Sequence, residues 1–162
     1  MTPFPDAYWV VPHQLMAGPY PEHSRGRLEA LLQAGILCFV DLTDEADVPA
    51  SRRYVDHLLP GVRHLPLGYG DMTVPSSGHM VRILDALDTA LSDGLPAYVH
   101  CLMGLGRTGT VLGCWMARHD MASGRGVMDR IDELRRDTTT TCYPSPVTDE
   151  QQELVLGWPA GR

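Results

Sequence analysis

The stretch from Leu95 to Met116 constrains the fold more than any other part of the chain. Leu95-Pro96-Ala97-Tyr98-Val99-His100 reads as a buried strand. Val111, Leu112, Trp115 and Met116 place an apolar face on a helix that begins near Gly104. Between them runs His100-Cys101-Leu102-Met103-Gly104-Leu105-Gly106-Arg107-Thr108-Gly109. A strand that turns directly into a helix is a unit of α/β architecture. The helix start leaves unpaired backbone N–H groups and a partial positive charge. Gly104 and Gly106 permit the backbone angles by which successive N–H groups point at one centre. A dianionic phosphate fits such a cradle. Arg107 returns to the same centre, and its planar fork can hold two phosphate oxygens at once.

The rest of the chain supplies partners for that unit. Tyr8–Val11 and Leu15–Gly18 read as short strands with a polar turn at Pro12-His13-Gln14. Ser24–Ala34 carries Leu28, Leu31 and Leu32 on one helical face, with Gly35 as its stop. Ile36–Leu42 is a nearly continuous apolar run, as in a buried strand, and Arg63–Leu67 is a weaker one. Gly68–Ser77 is loop. Ser76 or Ser77 caps a helix through Met80, Leu84, Leu87 and Leu91. Gly124–Arg136 turns Val127, Met128, Ile131 and Leu134 inward, and Thr148–Leu156 forms a last helix. The expected fold is α/β, a central mixed, partly parallel sheet flanked by helices. The 162 residues make a single domain with its core over about residues 8–158.

Composition narrows the partners. The net charge of −7 argues against nucleic acid and anionic lipid, which both need a basic surface. No apolar run approaches the roughly 18–20 residues of a membrane span. The first residues lack the charged and apolar regions of a secretory signal. A cytoplasmic monomer with reduced thiols is therefore expected. Lys and Asn are absent, so all 13 basic charges are Arg, a bias that suggests GC-rich coding and a bacterial source. Cys38, Cys101, Cys114 and Cys142 form no CxxC pair, and the seven histidines show no ligand spacing, so neither metal nor cofactor is implied. Cys38, Cys114 and Cys142 read as small buried hydrophobes. Cys101 stands apart: a thiol at a helix N-terminus beside an arginine ionises readily and attacks without a separate base. The Thr108 hydroxyl can hydrogen-bond that thiolate and help release it. His100 is expected to hold the loop from behind.

The run His-Cys-five residues-Arg-Thr-Gly resembles the signature of the cysteine-dependent protein tyrosine and dual-specificity phosphatases. The resemblance implies that family's fold, with the signature loop at the sheet's carboxyl end. It also implies phosphate-monoester hydrolysis through a phosphocysteine intermediate. The phosphate-binding loop would be Leu102, Met103, Gly104, Leu105, Gly106 and Arg107. The leaving oxygen needs a general acid, which members of the family supply as an Asp upstream, often in Asp-x-Gly-Val-Pro. Asp71-Met72-Thr73-Val74-Pro75, with Asp71 30 residues before Cys101, matches at Asp71, Val74 and Pro75. Tyr69-Gly70 stands where the larger tyrosine phosphatases have Trp-Pro. Asp41, Asp44, Glu45 and Asp47 read as turn and cap residues. Arg52-Arg53-Tyr54 reads as the start of a surface helix, not as a remnant of the aromatic-basic loop of the larger enzymes. Near the C-terminus, Val147–Gln152 is similar to the family's glutamine loop. Gln151 matches its second glutamine and Val147 replaces the first, so Gln151 either contacts the hydrolytic water or decorates a helix.

A chain this short implies a shallow pocket, hence dual specificity or phosphotyrosine hydrolysis on a phosphorylated protein or small phosphomonoester. The variable loop positions Leu102, Met103 and Leu105 carry no Lys, which disfavours highly charged inositol phosphates. RNA 5′-triphosphates are disfavoured by the acidic balance. A rhodanese-like sulfurtransferase would have a loop one residue shorter and no use for Asp71. A non-catalytic phosphate-binding module would not need Cys101, Arg107, Thr108 and an acid together.

Overall fold

A computed structural model describes residues Met1–Arg162. Five strands form one sheet in the order β1-β2-β5-β3-β4. They are β1 (Tyr8–Val11), β2 (Leu15–Gly18), β3 (Cys38–Asp41), β4 (Arg63–Pro66) and β5 (Ala97–His100). Only the edge strand β1 is antiparallel to its neighbour; the other pairings are parallel. The helices are α1 (Arg27–Gln33), α2 (Ser77–Ser92), α3 (Gly106–Arg118), α4 (Arg125–Arg135) and α5 (Asp149–Leu156). This is the mixed, helix-flanked sheet expected from the sequence. No helix is long and apolar enough to cross a membrane.

Strand alternation divides the core in two. Leu15, Ala17, Cys38, Val40, Ala97 and Val99 face one side, where they pack with Met80, Leu84, Val111, Leu112, Met116 and Ile131. Met16, Phe39 and Tyr98 face the other side, onto Leu28, Leu31, Ile36 and Tyr54. With both faces covered, β3 and β5 tolerate no polar alternation until their carboxyl ends, Asp41 and His100. Those ends lie side by side, with Gly18 of β2 on the other flank of His100. In open α/β sheets this is the edge at which ligands bind.

Three readings of local structure change. The helix expected from Ser24 begins at Arg27, because His23–Arg25 is a separate 3-10 turn closed by Gly26 in the left-handed region, φ 67°. The segment around Arg52 is not a surface helix. It forms two 3-10 turns, Ala50–Arg52 and Tyr54–His57, and the second buries Tyr54 beneath the sheet edge. Cys38 and Cys114 are buried, which raises their thiols to about 11 and about 12, but Cys142 is exposed. It lies in a run of turns after α4, held by the buried Arg135 donating to the carbonyls of Thr140 and Tyr143, and so outside both packed faces.

Candidate active site

The loop after β5 is shaped by main-chain contact. Gly104 has φ +74°, and a Cβ there would lie 2.6 Å from the Gly18 oxygen and the Pro19 nitrogen. The end of β2 therefore supports the loop from behind, and the Tyr20 N–H donates to the Leu102 carbonyl at 3.0 Å. On the other flank the Ser145 hydroxyl donates to the Leu105 carbonyl at 2.8 Å. Cys101 is buried at the base of the loop, while Leu102 and Met103 are exposed at its rim. No side chain caps the start of α3 at Leu105, so the first N–H groups of that helix are left for a ligand.

Arg107 is fully buried in the first turn of α3. Its Nη1 donates to the Leu42 carbonyl (3.1 Å), the Tyr69 carbonyl (3.0 Å) and Asp47 Oδ2 (2.6 Å). Nη2 lies 3.2 Å from Asp71 Oδ1, but without hydrogen-bond alignment. Nε has no protein partner, and neither does the buried Thr108 hydroxyl. Buried polar atoms of this kind are rare unless a ligand or ordered water completes them. One end of the guanidinium is thus fixed by protein, and the Nε–Nη2 edge is left for two oxygens of an anion.

Two of the acids read as turn and cap residues, Asp41 and Asp47, do more than that, while Asp44 accepts from the Ala46 N–H at 3.4 Å as a turn residue would. Asp47 does accept from the Asp44 N–H at 2.7 Å, as a turn residue would. The same oxygen also holds Arg107. Sequence reasoning missed this pairing; its only signal is that the β3 and β5 loops leave the same end of the sheet. Ser145 and Tyr69 were missed likewise.

Asp41 lies behind the loop with His100. His100 is fully buried, with Nε2 2.9 Å from the Tyr54 hydroxyl and Nδ1 3.4 Å from the Cys101 carbonyl. A hydrogen on Nδ1 satisfies both contacts, with Tyr54 donating to Nε2. Asp41 Oδ1 is 3.9 Å from Nε2 and also accepts the Thr43 N–H at 2.9 Å; Oδ2 is 3.1 Å from His64 Nε2. Burial opposes ionisation of Asp41, but the field of His100 and the bonds from His64 and Thr43 outweigh it and hold the carboxyl well below its usual range. Burial pushes the His100 imidazole below its usual range, against the field of Asp41. A depressed imidazole favours the fold above its unfolded pKa of about 6.5, and that contribution is lost as pH falls further. The denaturant-midpoint gap between the native protein and His100→Gln should therefore narrow from pH 7.5 to pH 5. A constant gap would show that His100 takes up its proton without penalty.

Asp71 is half exposed on the loop between β4 and α2. Tyr69 anchors that loop before it, with its hydroxyl donating to the Arg107 carbonyl at 3.3 Å. Gln151 is fully buried in the first turn of α5, and its Nε2 donates to the Thr73 carbonyl at 3.0 Å. The structure therefore brings Cys101, Arg107, Thr108, Asp71 and Gln151 to one end of the sheet, with His100 beneath.

Residues 5–152 match the PTP-SAK family, described as "Swiss Army Knife protein, DSP-PTPase phosphatase domain". The chain belongs to this family. Among relatives of this PTP-SAK domain, the dual specificity protein phosphatase CDC14C of Homo sapiens is 30% identical over 162 residues, covering 93% of this chain and 33% of that protein. The tyrosine-protein phosphatase cdc-14 of Caenorhabditis elegans is 36% identical over 97 residues, covering 59% of this chain and 12% of that protein. The PTP-SAK chain thus spans about a third or less of the length of these relatives. Among solved structures, Tk-PTP in the active form superposes with a TM-score of 0.74 at 24% identity, covering 94% of this chain and 95% of that one. PTPMT1 in complex with PI(5)P superposes with a TM-score of 0.70 at 18% identity, covering 93% of each chain. Both structural likenesses concern the fold.

Proposed function

We propose that this domain hydrolyses phosphate monoesters on proteins, as a tyrosine or dual-specificity phosphatase working through a phosphocysteine at Cys101. The observation that carries the reading is the half-saturated Arg107: three protein acceptors on Nη1, none on Nε, in the loop that buries Cys101. The loop N–H groups and the Nε–Nη2 edge hold the three non-bridging oxygens. The Cys101 sulfur attacks phosphorus, and the bond to the leaving oxygen breaks in line with it. Asp71 gives its proton to that oxygen. Water then attacks the phosphocysteine, Asp71 takes the water's proton, and the sulfur leaves as thiolate, to which the Thr108 hydroxyl donates. Because Arg107 is fixed before substrate arrives, it meets the developing charge without reorganising.

Asp71→Asn tests the acid assignment. A positioned acid contributes about 10²–10⁴-fold when the leaving group is basic. The variant should lose that much in kcat/KM on a phosphotyrosine or phosphoserine peptide and far less on nitrophenyl phosphate, whose phenolate leaves nearly unaided. Equal losses on both substrates would move the acid elsewhere, to Asp47 or Asp44 first.

One observation favours a second reading. A cleft of about 200 Å³ beside Leu102 and Met103 is lined by Arg25, Arg27 and Arg52. Glu22 and Asp47 line the same cleft, so the neighbouring surface adds one arginine without a carboxylate partner, Arg27, to the charge that the loop lacks. Glu22 pairs with Arg25 and Arg52, while Arg27 lies over the Phe4 ring, 5.3 Å from its centroid, without a carboxylate partner. A phosphoinositide headgroup with a second phosphate would suit that wall. Turnover of a panel of phosphopeptides against inositol bisphosphates decides between the two: peptide preference supports the first reading, and a preference for bisphosphates that Arg27→Ala abolishes supports the second.

A further inference from the structure

Gln151 does two separable things with one amide. Its Oε1 accepts from the Val147 and Thr148 N–H groups, both at 3.2 Å. The Thr148 hydroxyl accepts from the Gln151 N–H at 3.1 Å, which completes a capping box at the start of α5. A capping box uses only the oxygen of that side chain. The nitrogen end reaches across 78 residues of sequence to the Thr73 carbonyl, two residues beyond Asp71. The amide also lies against the start of α3: a Cβ on Gly106 would be 3.1 Å from Gln151 Oε1.

The loop carrying Asp71 is therefore pinned on both sides. Before the acid, the Tyr69 carbonyl accepts from Arg107 Nη1 and the Tyr69 hydroxyl donates to the Arg107 carbonyl. After it, Gln151 holds Thr73. Only Gly70, Asp71 and Met72 lie between the anchors, and Met72 sits in the left-handed region at φ 58°. A non-glycine residue held there needs surroundings that enforce it. A fully buried amide N–H that lost the Thr73 carbonyl would be left unpaired, which favours the fastened loop.

We propose that Gln151 is a positioning residue, a latch that sets Asp71 beside Arg107 by holding Thr73. On this reading it acts through the acid and does not orient the hydrolytic water. The proposal rests on the phosphatase reading for its catalytic consequence, but not for the latch itself.

Gln151→Met removes both functions of the amide, whereas Thr148→Ala weakens the cap of α5 and leaves the latch. Relative to the native domain, Gln151→Met should lose about 10- to 100-fold in kcat/KM on a phosphotyrosine peptide, part of the loss expected on deleting the acid. On nitrophenyl phosphate the loss should be much smaller. Added to Asp71→Asn it should cost little further, because two residues acting through one group are not additive. Thr148→Ala should lower the melting temperature and leave the ratio of the two substrates unchanged. Equal losses on both substrates, or full additivity with Asp71→Asn, would overturn the proposal. So would phosphocysteine hydrolysis slower in Gln151→Met than in Asp71→Asn, which would assign Gln151 to the water itself, because Asp71 also serves that step. Amide exchange over Gly70–Val74, measured without substrate, separates the two levels. Faster exchange in Gln151→Met but not in Thr148→Ala supports the latch even if the native domain hydrolyses no phosphate monoester, in which case the phosphatase reading alone falls. Unchanged exchange removes the latch whatever the activity.

Discussion

Replacing Cys101 with Ser should leave a protein that still binds vanadate or phosphate but turns over a phosphotyrosine peptide at least about 10⁴-fold more slowly. The two halves of that result have different physical origins. The cradle is main chain and Arg107, and neither depends on the sulfur. Attack does depend on it, because a neutral hydroxyl needs a base and none is placed to serve. His100 is the neighbouring residue, but its Nε2 faces the Tyr54 hydroxyl and its Nδ1 the Cys101 carbonyl, behind the loop. Cys38 and Cys114 cannot take over, being buried in the core with thiols raised to about 11 and about 12. Vanadate binding by calorimetry, beside single-turnover kinetics, separates the halves. Turnover within tenfold of the native rate would remove Cys101 from the mechanism.

Arg107→Lys should be nearly as damaging, although the charge is kept. An arginine that stabilises a transferring phosphoryl group contributes about 10³–10⁵-fold. A lysine ammonium is a single point with no fork. It can satisfy Asp47 and the carbonyls of Leu42 and Tyr69, or it can bind the anion, but it cannot do both from one atom. Protein partners already surround the position of Nη1, so the ammonium is expected to settle among them, away from the phosphate. The variant should therefore remain folded, with a melting temperature close to native, and lose both phosphate affinity and kcat. Activity within tenfold of native would mean that the anion sits elsewhere in the cleft.

The elements that the sequence showed most clearly are those whose burial repeats along the chain. β3 and β5 are apolar runs because both faces of the sheet are covered, and α2 carries Met80, Leu84 and Leu87 on one buried stripe. The Cys101 segment and Asp71, which the fold brings to one end of the sheet, were legible because the chemistry proposed for them needs particular residue types in order. What was hidden lies in pairings between distant segments. Asp47 looks like any loop acid until the parallel pairing of β3 with β5 sets it against Arg107. Tyr54 was read into the start of a surface helix, yet its ring packs against Phe39 and His100. Gln151 showed only its match to the family's second glutamine, and its bond to Thr73 has no local signature at all. Local patterns report burial and turn chemistry, and neither says which loop will meet which.

The contact of Gly104 with the end of β2 bears on how this loop can change over generations. The atoms that a side chain at position 104 would strike are main chain, belonging to Gly18 and Pro19. No exchange elsewhere can trim a backbone, so a lesion there is far harder to relieve than a clash with a side chain. Gly113, deeper in α3, is just as crowded, but by the Val155 side chain, whose Cγ1 would lie 2.6 Å from an added Cβ. A smaller residue at position 155 could admit one. The two glycines therefore differ in heritable freedom: the pair 113 and 155 can drift together, while position 104 is locked to glycine for as long as β2 carries the loop.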